Sequence, residues 1–198
     1  MNMTVTRVVL IGGALLALGA CMKNQPKDAN ATANDARATT ETAASSDPAA
    51  SAQSAAPASI SADAALIQVA ADGSVKELRK GTNGWTCMPD NPQTPGKDPM
   101  CMDANALKWA QAWMAHKPPP ANNVGLMYML QGGSDASNID PFGEKPANGK
   151  WVDTGPHVMV VGAESLNKLY PATADPDTTK PYVMFGGTPY AHMMIPIK

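Results

Sequence analysis

The sequence predicts an α+β domain: a mainly antiparallel sheet of about five to seven strands with one main helix packed on a face. Three observations carry that expectation. Asp72-Gly73 and Gly186-Gly187 separate apolar runs in the manner of hairpin turns, VGLMYML (124–130) and HVMVV (157–161) are continuous apolar runs of strand length, and 103–116 has helical apolar spacing. No motif in the chain specifies a reaction.

From the N-terminus, residues 1–20 carry one basic residue, Arg7, and then the apolar run 8–18. That is the layout of a secretory signal peptide, too short to span a bilayer. Leu18-Gly19-Ala20-Cys21 resembles the lipobox of bacterial lipoproteins. In that motif small residues fit the signal peptidase, and the cysteine thiol takes a diacylglyceryl group before becoming the new N-terminus. The expected partner is therefore a membrane, held through lipid on Cys21, with each buried CH₂ contributing about 0.8 kcal/mol. Met22 and Lys23 follow, so the aspartate that retains some lipoproteins at the inner membrane is absent. Resemblance to sorted lipoproteins points to the periplasmic face of the outer membrane.

Residues 21–62 read as the lipidated cysteine and a disordered tether. Up to about residue 61 the composition is Ala, Ser, Thr, Asp, Asn and Pro, with no aromatic residue and no large aliphatic one before Ile60. Such a segment buries too little apolar surface to offset its ordering entropy. As a random coil it would reach roughly 30–40 Å at 5–6 Å × √n. Removing the signal takes Arg7 from fifteen basic residues and leaves fourteen against seventeen acidic ones. A mildly acidic chain with no basic stripe excludes nucleic acid as a partner.

Residues 63–198 form the expected single domain. Strands over 66–71 and 74–79 flank Asp72-Gly73, whose glycine suits a type I′ turn. Asn83-Gly84 marks a second turn before a short strand at 85–88, and four prolines in 89–99 make a rigid loop. Asp103 can cap a helix running to about His116, with Trp109 and Trp113 one turn apart, and Pro118-Pro119-Pro120 stops it. The runs 124–130 and 157–161 read as central strands buried on both faces. Between them, 131–156 is a long polar loop broken by a short strand at Trp151-Val152. A short helix over 163–169 and a hairpin of 182–185 with 190–195 complete the chain.

Taken together, GTNGWTCMPD (81–90), PMCMD (99–103), YMLQGGSDASNIDP (128–141), GPHVMV (155–160) and GTPYAHMMIP (187–196) resemble a set of uncharacterised bacterial secreted or lipid-anchored proteins carrying the same blocks in the same order. The resemblance covers nearly all of 81–196 and implies kinship without an activity.

Cys87 and Cys101 enclose 13 residues, a span that a Pro-rich loop can close. In an oxidising compartment the pair is expected as a disulfide. The competing reading is a soft-metal site, since Cys87-Met88 and Met100-Cys101-Met102 carry the thiolate and thioether donors that Cu(I) prefers. Ten methionines lie beyond Met22; those at 127, 129, 159 and 184 fall inside apolar strands, where a flexible thioether fills gaps. Of three histidines, His116 falls at a helix end, while His157 and His192 lie on strands and form a site only if those strands are neighbours. The loop 132–140 offers Ser134, Asp135, Ser137, Asn138 and Asp140, but neither the EF-hand spacing nor a G-x-S-x-G elbow.

The leading expectation is a lipid-anchored envelope protein with a non-enzymatic binding or structural domain, needing no cofactor or metal. Its partner beyond the membrane would be an unidentified small molecule or envelope protein. Trp85, Ser134, Asp135, Asn138, Asp140, His157, Tyr190 and His192 are the groups expected to line a site, because they sit in loops or at strand ends. The alternatives are a periplasmic copper-binding protein using Met and His, and a periplasmic hydrolase built on Ser134 or Ser137 with His157.

Overall fold

The structure, a computed structural model, describes residues 47–197. Two short helices come first, α1 (Pro48–Gln53) and α2 (Ala58–Ser61). They are followed by β1 (Ala65–Val69), β2 (Val75–Arg79), β3 (Thr86–Met88), β4 (Met100–Met102) and the main helix α3 (Ala104–Met114). Then come β5 (Gly125–Met129), β6 (Gly133–Asp135), β7 (Val152–Thr154), β8 (His157–Val161), α4 (Glu164–Asn167), β9 (Tyr182–Met184) and β10 (His192–Pro196). Eight strands make one sheet in the order β2-β1-β3-β4-β5-β8-β10-β9, and β6 pairs with β7 separately. All neighbours are antiparallel except β1 and β3. The domain is thus α+β with a mainly antiparallel sheet. It has more strands than expected because β4 and β6, three residues each, are too short to carry a periodic signal.

Side chains alternate across a strand, so the register sorts the residues onto two faces. Met102, Met127, Met159 and Met194 fall in one row across β4, β5, β8 and β10, and that face packs against Ala106, Trp109 and Ala110 of α3. On the other face Leu66, Cys87, Cys101 and Tyr128 pack against Ala52 and Ala55 around α1. Both β5 and β8 alternate buried with more exposed residues, so they are covered fully on the methionine face alone, not on both as expected.

Helix α3 is seated by its first residues. The Asp103 carboxylate accepts from the N–H groups of Asn105 (2.9 Å) and Ala106 (2.7 Å), capping the helix, and its second oxygen accepts from Leu126 N on β5 (2.9 Å). A Cβ on Gly125 would collide with the backbone of Asn105 and Ala106, so glycine there permits the close approach. Cys87 and Cys101 lie directly opposite each other on β3 and β4, with Cα atoms 3.9 Å apart, and are bonded as a disulfide.

Two expectations change. The segment 47–62 belongs to the folded body and not to the tether. Leu130 N donates to Ala55 O (3.0 Å), Arg79 Nη2 donates to Ser61 O (2.6 Å), and Ala52 and Ala55 are wholly buried. Small side chains let α1 lie close against the disulfide, a form of packing that composition alone does not reveal. Cys21 and the signal lie outside the described residues. In the first hairpin Gly73 takes φ +80° while Asp72 stays at negative φ, and Gly73 N donates to Ala70 O (2.9 Å). The turn is therefore closed by a single left-handed glycine and is not the type I′ form.

Candidate functional site

The methionine face lines a cavity of about 630 Å³ that is open on one side to solvent. Its floor is sheet, Trp109 and Trp113 of α3 line it from above, and Asp98, Ser134, Asp135 and Thr154 give it a polar side. Trp109 and Trp113, one turn apart on α3, stack with centroids 6.4 Å apart.

His157 and His192 both line this cavity, on strands that are direct neighbours. Each is 2% exposed and opens its strand. His157 Nδ1 donates to Gly155 O (2.8 Å) and His192 Nδ1 to Tyr190 O (2.9 Å), in both cases the carbonyl two residues earlier. A carbonyl only accepts, so Nδ1 carries the proton and Nε2 of the neutral ring presents a lone pair. Both Nε2 atoms are buried without a hydrogen-bond partner. Burial pushes His157 below its usual range despite the bond to Gly155. His192 is pushed down to about 4, chiefly by burial and further by charge on His157. Trp109 and Phe185 hold His192 edge-on, at centroid distances of 5.1 and 5.4 Å.

The polar side is acidic. Asp98 accepts from Asn91 N (2.8 Å) and Thr94 Oγ1 (2.5 Å), yet burial still raises its pKa above the carboxylate range. Asp135 is only half-buried as a residue, but its carboxyl is enclosed; burial, then the charge on Asp98, pushes it up to about 7. The Tyr182 phenol is displaced upward by burial and by Asp135, and its oxygen has no hydrogen-bond partner.

The remaining expected site residues lie elsewhere. Trp85 packs on Tyr128 (5.6 Å between centroids) on the disulfide face, because β3 turns it away from the methionines. Asn138 is a buried latch whose Nδ2 donates to Thr173 O (2.6 Å) and Val183 O (3.1 Å). Asp140 stands exposed in a turn, accepting from Phe142 N (3.0 Å). Tyr190 is buried beside Trp109 and donates its hydroxyl to Lys117 O (3.0 Å). His116 is exposed and stacks on Phe142 at 4.0 Å.

The cavity narrows the chemistry available. Ser134 Oγ accepts from Gly96 N (2.8 Å), Ser137 Oγ accepts from Ile139 N and Asp140 N, and neither is hydrogen-bonded to a histidine. The two cysteines are consumed in a disulfide on the far face of the sheet, which removes the thiolate form of a copper site. Among the described residues, no three His, Cys, Asp or Glu side chains gather as a metal set. No protein-family model, curated protein or solved structure matches this chain.

Asp98, Trp109 and the floor methionines at 127, 129, 159 and 184 were not among the expected site residues, whereas Met88, Met100, Met102 and Met193 or Met194 were plausible ligands from the sequence. A signal for the methionine floor was present: His157-Val158-Met159 and His192-Met193-Met194 are two copies of His-x-Met. In a strand that spacing puts histidine and methionine on one face.

Proposed function

We propose that this is a lipid-anchored protein of the bacterial envelope whose domain binds a small ligand in the methionine-floored cavity without transforming it. The carrying observation is the pair of buried, unpartnered Nε2 atoms lining a cavity of about 630 Å³, within the range of ligand pockets. An unmade hydrogen bond on a buried polar atom costs about 1–3 kcal/mol, and a guest that bonds either Nε2 atom recovers that cost. The non-enzymatic reading is supported by where the polar groups are committed: both histidine Nδ1 atoms bond backbone carbonyls, and the Ser134 and Ser137 oxygens accept from backbone N–H groups. The lipobox-like segment ending at Cys21 supports the anchor, and Met22-Lys23 supports the outer membrane.

Two measurements test this function. Cys21→Ala should shift the protein from the membrane fraction to the soluble periplasmic fraction; full retention in the membrane would refute the lipid anchor. The amphipathic fluorophore 1-anilinonaphthalene-8-sulfonate should bind the folded chain through its aromatic rings and quench Trp109 and Trp113, which line the cavity. Ala110→Trp, which fills the cavity from α3, should abolish that binding while leaving the far-UV circular dichroism unchanged.

A further inference from the structure

We propose that the ligand is a soft monovalent metal ion, copper(I), bound at two positions in the cavity, each by one histidine Nε2 and two methionine thioethers. This rests on the cavity-binding function and names the ligand class.

The two positions are built alike. His157 has Met129 directly across from it on β5 and Met159 two residues on along β8. His192 has Met184 directly across from it on β9 and Met194 two residues on along β10. Residues directly opposite in an antiparallel pair, and residues two apart in a strand, share a face. Cross-strand partners have Cβ atoms about 4.5–5.5 Å apart, within the sweep of a thioether on three rotatable bonds. All six side chains line the same cavity, and each of the four methionines is 7% exposed or less.

Imidazoles that bind metals characteristically donate their other ring N–H to a backbone carbonyl or carboxylate, which fixes the tautomer and aims the free nitrogen. Both histidines do this, through the same backward bond to residue i−2. The free nitrogen is then left buried and unpartnered at both places. Other buried polar atoms, Trp109 Nε1 and the Tyr182 oxygen among them, also lack a partner; the two histidines differ in repeating the same backward bond beside two thioethers.

Donor chemistry selects the ion. Neutral imidazole and thioether are the soft set that suits Cu(I), whereas hard cations take carboxylate or carbonyl oxygen and structural zinc takes thiolate. His157 pairs with Pro196 and His192 opens the same strand, so their backbones are four residues apart in register, about 13 Å along the strand at ~3.4 Å per residue. Each histidine has its own pair of thioethers, and the inference therefore assigns one ion to each.

The test uses the purified full chain, titrated anaerobically with Cu(I) against the competing chelator bicinchoninate. Two ions should be retained per chain, with X-ray absorption giving one nitrogen and two sulfur neighbours per copper. His157→Phe and His192→Phe should each lower the count to one, and the double variant to zero. Because a histidine variant could fail to fold, Met129→Leu/Met159→Leu and Met184→Leu/Met194→Leu, which conserve volume, should each weaken one position at least tenfold. Retention of no copper, retention unaffected by the leucine pairs, or oxygen-only coordination would overturn the inference. In the first case, 1-anilinonaphthalene-8-sulfonate binding that Ala110→Trp abolishes would leave the cavity-binding function standing, and loss of both would end it as well.

Discussion

Asp135 shows how one residue couples the cavity to pH. Its folded-state pKa of about 7 lies above the ordinary aspartate value, because burial and the Asp98 charge both penalise the carboxylate. A group whose pKa is raised on folding contributes stability at low pH and loses it as pH rises through the folded value. For Asp135 that loss runs from about pH 4 to about pH 7. The facing groups are Asp98 and Tyr182. The lowered histidines act in the opposite sense over much of the same window, since their neutral forms favour the fold as pH rises. The variant comparison separates the two. Asp135→Asn should be more stable than the parent above pH 7, and the gap in thermal midpoint should close towards pH 4. A gap that stays constant across the range would show that Asp135 titrates normally.

At the scale of elements, the contact that matters most for the cavity is the seat of α3 on β5, since α3 carries Trp109 and Trp113. Asp103 makes three carboxylate bonds there, two to the helix and one to the strand. Asp103→Ala should cost about 2 kcal/mol in urea unfolding, at the upper end for a lost cap because the strand bond goes too. Gly125→Ala should also destabilise, by about 1–3 kcal/mol, through overpacking against Asn105 and Ala106. The cap was legible in the sequence, because Asp before an apolar-periodic run and three prolines after it leave few other readings. So was the pairing of Cys87 with Cys101. The residues facing the histidines were not, because neighbourhood in a sheet depends on strand order. The β8–β10 contact brings residues 157 and 192 together across α4 and β9, and no local pattern encodes that. Floor methionines at 129, 159 and 184 read as gap fillers for the same reason.

At the scale of the molecule, the folded boundary lies at or before residue 47, and it can be tested by truncation. A chain beginning at residue 63 should be less stable than one beginning at residue 47 by at least about 2 kcal/mol. The three methyl groups of Ala52, Ala55 and Ala56 alone, at about 0.8 kcal/mol each, account for that much. Equal unfolding midpoints would return 47–62 to the tether. The alanine-rich stretch escaped notice because its contribution comes from closeness and not from bulk. The face it covers holds the disulfide and, further along the sheet, Met193, while the opposite face holds the floor methionines. One layer of backbone therefore separates the cystine from the floor thioethers. On one side the cysteine sulfur is already oxidised as cystine and sealed beneath α1. On the other, thioethers remain open to conversion into polar sulfoxides, and Met114, 44% exposed, meets an oxidant before the buried floor does. Met114, which lines the cavity from the end of α3, is therefore expected to reach the sulfoxide before the buried Met127 does.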